Sequence, residues 1–279
     1  MIGAVVSDLD GTLLDSLPAW NALPARLLAH FGVPAPAGLA ADLAELSMTE
    51  AVAHLKARFG LPGPVEALSA LCARLMDRAY RREIPLLPGA AAGIAYLRGL
   101  GLPVAIATAG DAALARAALE RLGLWGEVAF VITEAQVGRS KRHPEIYLRA
   151  AKRLGVAPGD CLVLEDAPHA IATARAAGFV VCAVGAGAAD LSAPPDAGAS
   201  TGATDPPGAA NLPGATDSPP ALPGARLSAP PGARLSAPPG ARLSVPPGAA
   251  RPAPLLRVDN LSELEAIFSH GECAVHRRH

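Results

Sequence analysis

The chain opens on a short apolar run, Ile2 to Ser7, that stops at an acidic, glycine-containing turn. A brief apolar run bounded by turn residues reads as a buried strand. From about Pro18 to Glu83 the apolar positions recur at helical spacing instead, as in Leu23/Leu27/Leu28/Phe31, Met48/Val52/Leu55/Phe59 and Leu68/Leu71/Leu75. Positions three and four apart share one face of a helix, so this spacing predicts amphipathic helices. Breaks at Gly32-Val33-Pro34 and Gly60-Leu61-Pro62-Gly63-Pro64 divide the segment into several short ones. After Pro88-Gly89 helix and strand patterns alternate. Helices are predicted over 91–100, 112–122, 144–154 and 167–177, and strands over 103–107, 128–132, 161–164 and 179–184. Near-continuous apolar strands separated by helices of this length imply an α/β fold with a parallel sheet covered on both faces. The helices between Ser16 and Glu83 then lie outside that sheet, as an α-helical cap inserted after strand one.

Over 188–252 the pattern changes character. An eight-residue unit, Pro-Gly-Ala-Arg-Leu-Ser-Ala-Pro, starts at Pro223 and again at Pro231, and a third copy starting at Pro239 has Val245 in place of the alanine. Each copy holds one large apolar residue, and repeated Pro-Pro-Gly excludes helix, so the segment is expected to be disordered with polyproline II tendency. Ordered structure is predicted to resume with a strand over 255–258 and a helix over 262–268. The expected organisation is therefore a core of 1–15, 87–187 and 253–269, a cap of 16–86, a repeat insert of 188–252, and a flexible tail of 270–279.

Composition adds limits to this picture. Hydrophobic residues make up 51% and charged residues 18% of the 279, enough apolar material for a sizeable core. The formal net charge of −1 gives no global field to collect nucleic acid or acidic membrane, while a local positive cluster can still bind a small anion. The start has no basic region of a signal peptide, and no apolar stretch is long enough to span a bilayer. Cys72, Cys161, Cys182 and Cys273 are scattered without a CxxC, as reduced structural thiols would be. A cytoplasmic monomer without nucleic-acid or membrane partners is the expectation.

Candidate chemistry lies where apolar runs end. Asp8 and Asp10, in Asp8-Leu9-Asp10-Gly11-Thr12, follow the first strand and so occupy the carboxyl edge of the sheet, where open α/β sheets bind ligands. Two such carboxylates can share a divalent cation, and one can still attack an electrophile. By itself the turn would read as a helix cap formed by Asp15 or Ser16. Thr108, with Ala109-Gly110-Asp111, follows the second strand of this kind, where a hydroxyl and backbone amides before a helix make an anion site. Lys141 precedes the helix that contains Tyr147 and can neutralise a phosphoryl group. Glu165-Asp166 ends the buried strand Leu162-Val163-Leu164, a poor place for packing and a good one for metal ligands. His143 and His169 read as surface histidines. His270, Cys273, His276 and His279 have an even spacing of three in a tail that is expected to be disordered.

Together these four elements resemble the haloacid dehalogenase-like hydrolase superfamily, in its phosphatase and β-phosphoglucomutase-like subgroup. The run from Lys141 to Tyr147, the run from Glu165 to Ile171 and the helical cap carry the subgroup resemblance. The resemblance implies a Rossmann-like core in which Asp8 is the nucleophile and Asp10 the general acid and base. It further implies that Thr108, Ala109 and Lys141 hold the phosphoryl oxygens. Asp8, the backbone carbonyl of Asp10, and Asp166 would bind Mg2+, with Glu165 as a direct or outer partner. The implied activity is hydrolysis of a small phosphorylated metabolite of the sugar or nucleoside phosphate type. A phosphomutase is the alternative; it would need basic cap residues for a second phosphate, and the segment Ala37 to Glu50 has no Lys or Arg. The later cap cations Lys56, Arg58, Arg74, Arg78, Arg81 and Arg82 fit a solvent-facing role, and Trp20, Met48 and Glu50 are the inward candidates for specificity. A different class of reading is an interaction protein acting through its Arg-bearing repeats.

Overall fold

The computed structural model describes residues 1–43, 46–185 and 255–269. Six parallel strands form one sheet: β1 (Ala4–Ser7), β2 (Val104–Thr108), β3 (Phe130–Thr133), β4 (Cys161–Glu165), β5 (Val180–Val184) and β6 (Leu255–Val258). Their spatial order is β3-β2-β1-β4-β5-β6. Every residue of β1, β2, β4 and β5 is buried, which is why these strands read as continuous apolar runs and not as alternating ones. Their side chains still leave on opposite faces. Val5, Ile106, Leu162 and Leu164 pack with α5 (Ala90–Gly99), α6 (Ala112–Arg121) and α10 (Leu264–Ser269). Val6, Ala105, Ala107 and Val163 pack with α8 (Glu145–Leu154) and α9 (Pro168–Ala176). The α/β architecture with helices on both faces is thus the one that the alternating pattern predicts.

Strand order reverses at β1. The chain leaves it for β2 and β3 on one side, then returns to lay β4 on the other. Ligands of open parallel sheets bind at such a reversal, outside the carboxyl ends of the strands.

Between β1 and α5 run α1 (Leu17–His30), α2 (Leu39–Asp42), α3 (Met48–Phe59) and α4 (Val65–Arg82). The break at Gly60 falls where the sequence puts it, with Gly60 in the left-handed conformation after α3. At 18 residues, α4 exceeds the short helices expected, and α2 is a single turn that carries no periodic signal. Glu50 is exposed, and its side chain accepts the Ser47 N–H at 2.9 Å in a capping box. It holds the start of α3 and is not an inward specificity residue.

The two chain segments that join this helical layer to the sheet run side by side. The Asp15 N–H donates to the Pro85 carbonyl at 3.0 Å, and the Leu87 N–H to the Leu13 carbonyl at 2.8 Å. Arg121, at the end of α6, donates to the carbonyls of Tyr80 at 3.1 Å and of Ile84, so the last turn of α4 is tied to the core.

β6 extends the sheet beyond β5 in register Val181↔Leu255 to Val184↔Val258. A Cβ on Gly93 of α5 would lie 2.7 Å from the Leu261 carbonyl oxygen, so only glycine lets that helix meet the turn after β6. Cys72, Cys161 and Cys182 are buried, and burial raises the Cys72 thiol to about 11 and the Cys161 thiol to about 12, which keeps both unreactive. No described helix is long and apolar enough to cross a membrane. The predicted repeat insert, and the tail with His270, Cys273, His276 and His279, lie outside the described residues.

Candidate active site

β1 delivers Asp8 to the carboxyl edge, where its N–H donates to the Leu164 carbonyl at 2.9 Å and fastens it to the end of β4. The chain then folds back on itself, with the N–H groups of Leu13 and Leu14 on the Leu9 carbonyl at 2.9 and 2.8 Å. Gly11 takes φ +92° in this turn, and a Cβ there would run into the Asp166 carboxylate. Conformation and space therefore both demand glycine at the fourth position of Asp8-Leu9-Asp10-Gly11-Thr12.

Asp8 is 5% exposed, Lys141 5% and Glu165 0%. The Lys141 ammonium donates to Asp8 Oδ1 and, at 2.6 Å, to Glu165 Oε1. The Tyr147 hydroxyl on α8 donates to that same Oε1 at 2.7 Å. The backbone N–H of Lys141 is held by Glu134 Oε1 at 2.6 Å, so the one-turn helix α7 (Glu134–Val137) sets where the lysine stands. Burial pulls the lysine's pKa down, but Asp8 and Glu165 overrule it and hold the pKa above its ordinary value. The ammonium therefore stays charged. Burial pushes Asp8 well above the usual carboxylate range; Lys141 opposes this, while Glu165, Asp166 and Asp10 add to it.

Asp8, Glu165 and Asp166 offer carboxylate oxygens that all lie within 4.8 Å of one another. Burial, with Glu165 nearby, raises Asp166 to about 6. Thr12 donates to Asp166 Oδ1 at 3.4 Å. Asp8 Oδ2 is buried and has no hydrogen-bond partner. A buried oxygen left unpaired is costly, and three carboxylates face one ammonium here. An orphaned acceptor in a cluster of hard oxygens is the donor set of a divalent cation, so the residues present fit one.

Thr108, fully buried at the end of β2, accepts the Gly110 N–H on Oγ1 at 2.9 Å, and its own hydroxyl is turned towards the Asp10 carboxylate, whose charged form it favours. The cap of α6 is Asp111, whose Oδ1 takes the amides of Ala113 at 2.8 Å and Leu114 at 3.1 Å. An anion here would therefore meet the Thr108 hydroxyl and the turn at exposed Ala109, not the capped amides of Ala113 and Leu114. The Asp10 carboxylate stands outside the three-acid cluster, with Oδ1 accepting the Tyr80 hydroxyl at 2.6 Å. Trp20 Nε1 donates to the Tyr80 oxygen at 3.3 Å.

The structure thus gathers buried Asp8, Lys141 and Glu165 and half-buried Asp166 into one cluster at the strand-order reversal, flanked by Thr108 and Asp10. His143 and His169 are exposed beside it. Two site residues escape the sequence reading. Tyr147 lies inside the run that begins at Lys141, but nothing local says that its hydroxyl reaches Glu165. Tyr80 meets Asp10 across 70 positions of chain.

Residues 2–178 match the family described as haloacid dehalogenase-like hydrolase. Hexitol phosphatase A of Escherichia coli (strain K12) is 38% identical over 182 residues, which cover 64% of this chain and 81% of that protein. Fructose-1-phosphate phosphatase YqaB of the same strain is 29% identical over 187 residues, covering 63% and 92%. Among solved structures, a Thermotoga maritima protein ascribed to the β-phosphoglucomutases shares the fold with a TM-score of 0.62 and 24% identity, over 66% of this chain and 85% of that one.

Proposed function

The chain belongs to the haloacid dehalogenase-like hydrolase family, and on that premise we propose that it is a Mg2+-dependent phosphatase acting on a small sugar or sugar-alcohol phosphate. The observation that carries this reading is Asp8 itself: a buried carboxylate at a strand end, with Lys141 on one oxygen and no partner on the other. A carboxylate so placed can form a bond to phosphorus while the lysine balances the charge.

In this reading the phosphoryl oxygens rest against the Thr108 hydroxyl, the turn at Ala109 and the Lys141 ammonium. Asp8 attacks phosphorus, and Asp10 gives a proton to the departing alcohol. Asp10 then takes a proton from the water that frees Asp8. Positioning and charge compensation do most of the work in phosphoryl transfer, which suits a site of fixed, buried charges. Asp8, Asp166 and the Asp10 carbonyl would hold Mg2+, with Glu165 kept behind them by Lys141 and Tyr147. When bound, the cation supplies positive charge to the phosphoryl oxygens.

Protons compete with the cation for these oxygens. Asp166 takes up its proton near about 6, well above the ordinary carboxylate range, so the competition sets in at mildly acidic pH. We expect Mg2+ to raise the melting temperature at neutral pH, and the increment to fade as pH drops through about 6. An increment unchanged at about pH 5, measured by differential scanning fluorimetry, would contradict the carboxylate site.

The cap favours water over a second sugar phosphate as acceptor. Arg26 and Arg78 pair with Glu83, Arg58 with Asp42 and Arg81 with Asp77, and Lys56 donates to the Leu61 carbonyl. Arg74 and Arg82 are exposed. What the cap brings to Asp10 is the neutral pair Trp20 and Tyr80. A panel of hexitol phosphates, hexose phosphates and bisphosphates should show phosphate release from the first two, with Asp8→Asn as the blank. Isomerisation of a hexose 1-phosphate without phosphate release would assign a mutase instead.

A further inference from the structure

Asp10 has one oxygen committed before any substrate arrives. Its Oδ1 accepts the hydroxyl of Tyr80, a side chain 2% exposed, at 2.6 Å. The direction of that bond is fixed by a third residue. Trp20 Nε1 can only donate, and it points at the Tyr80 oxygen from 3.3 Å. The tyrosine oxygen therefore accepts from the indole, and its single proton goes to Asp10. The hydroxyls of Ser16 and Thr108 also bear on this carboxylate, but Tyr80 is its strongest hydrogen-bond partner, and with Oδ1 taken by the tyrosine proton Oδ2 is the oxygen left to carry a proton of Asp10's own.

Oδ2 is also the oxygen on the phosphate side. A Cβ placed on Gly110 would lie 3.6 Å from Asp10 Oδ2 and 3.3 Å from Thr108 Oγ1, so the two oxygens border the same small space above the turn after β2. Tyr80 is itself held from the core. Arg121 of α6 donates to its carbonyl at 3.1 Å and to the carbonyl of Ile84.

We propose that Tyr80 is a positioning residue for proton transfer, anchoring Asp10 by Oδ1 so that Oδ2 carries the proton to the leaving oxygen. The inference rests on the phosphatase reading above. In the step concerned, a bond forms from an Asp8 carboxylate oxygen to phosphorus, and the bond from phosphorus to the alcohol oxygen breaks. The proton on Asp10 Oδ2 passes to that alcohol oxygen, so the alcohol leaves neutral. Trp20 keeps the tyrosine proton from turning away, and Arg121 keeps the ring in place.

The test separates proton donation from general support. An alkyl phosphate, glycerol 2-phosphate, needs its leaving oxygen protonated, whereas 2,4-dinitrophenyl phosphate does not. kcat/KM reports the first phosphoryl transfer for both. For Tyr80→Phe we expect kcat/KM on glycerol 2-phosphate to fall roughly 10- to 100-fold, a part of the ~10²–10⁴ that general acid catalysis supplies. On 2,4-dinitrophenyl phosphate it should stay within about twofold. Trp20→Phe, which frees the tyrosine proton without removing it, should give the same selective loss at a few-fold, and it decides the matter if Tyr80→Phe fails to fold. Equal losses on both substrates, or none on either, would overturn the proposal. A wild-type protein inactive on every phosphomonoester would instead sink the phosphatase reading on which it stands.

Discussion

Asp8→Asn should lower phosphate release by about 10⁴-fold or more, in a protein that folds at least as well as the wild type. The amide keeps the shape of the carboxylate and can still accept the Lys141 bond through its oxygen, but it is no nucleophile. The stability half of the expectation follows from sign. Burial holds Asp8's folded pKa well above its unfolded one, so the folded state binds the proton more tightly. The stability contributed in this way is present below the unfolded pKa and is lost as pH rises through the folded one. At neutral pH an ionised Asp8 is therefore a burden on the fold, and the neutral amide relieves it. Phosphate release on a generic aryl phosphate measures the first half, and thermal unfolding at neutral pH the second. Acid-quenched mass spectrometry adds a direct mark: the wild type should trap a phosphoryl group on the peptide containing Asp8, and the variant should not. A variant within tenfold of wild-type activity would move the nucleophile elsewhere.

The chemistry at strand ends is legible because hydrophobic runs are easy to see stopping. Ala4-Val5-Val6-Ser7 halts at Asp8, and Leu162-Val163-Leu164 halts at Glu165-Asp166. Once the strands are known to be parallel, both stops must lie on one edge, and Thr108 must join them there. What the sequence hides are contacts made by helices folding back. The helical spacing of α4 places Tyr80 four residues after Met76 and twelve after Leu68, so its burial is foreseeable and its partner is not. Asp10 becomes that partner where α4 packs back onto α6, its end tied there by Arg121. Glu50 teaches the reverse lesson. Ser47-Met48-Thr49-Glu50 carries the pattern of a capping box, a local signal, and that signal outweighs the search for a specificity residue. One-turn elements such as α2 and α7 are too short for any periodicity to show, yet Glu134 of α7 sets the position of Lys141.

The second large effect is expected at Lys141, where structure and activity should fail together. Lys141→Met keeps the length of the side chain and removes its charge. Asp8 and Glu165 then keep their burial and lose the ammonium that both bond. Removing one partner of a buried ion pair typically costs about 3–5 kcal/mol, far more than the pair itself contributes over an apolar substitute. We expect a loss of that order in urea unfolding at neutral pH, together with a fall in turnover of about 10³-fold as phosphoryl charge goes uncompensated. The pH dependence separates this cause from mere misfit of the methionine. Lys141 holds down the raised pKa values of Asp8 and Asp166, so without it both rise further, and the variant's folded state binds still more protons than its unfolded state. Its deficit should therefore shrink as pH falls towards about 5, where protonation removes the repulsion. Adding Glu165→Gln should recover part of the stability at neutral pH, since one of the two stranded charges is gone, and should recover none of the activity. A deficit that stays constant with pH and is unmoved by Glu165→Gln would mean that packing, and not charge, is what Lys141 supplies.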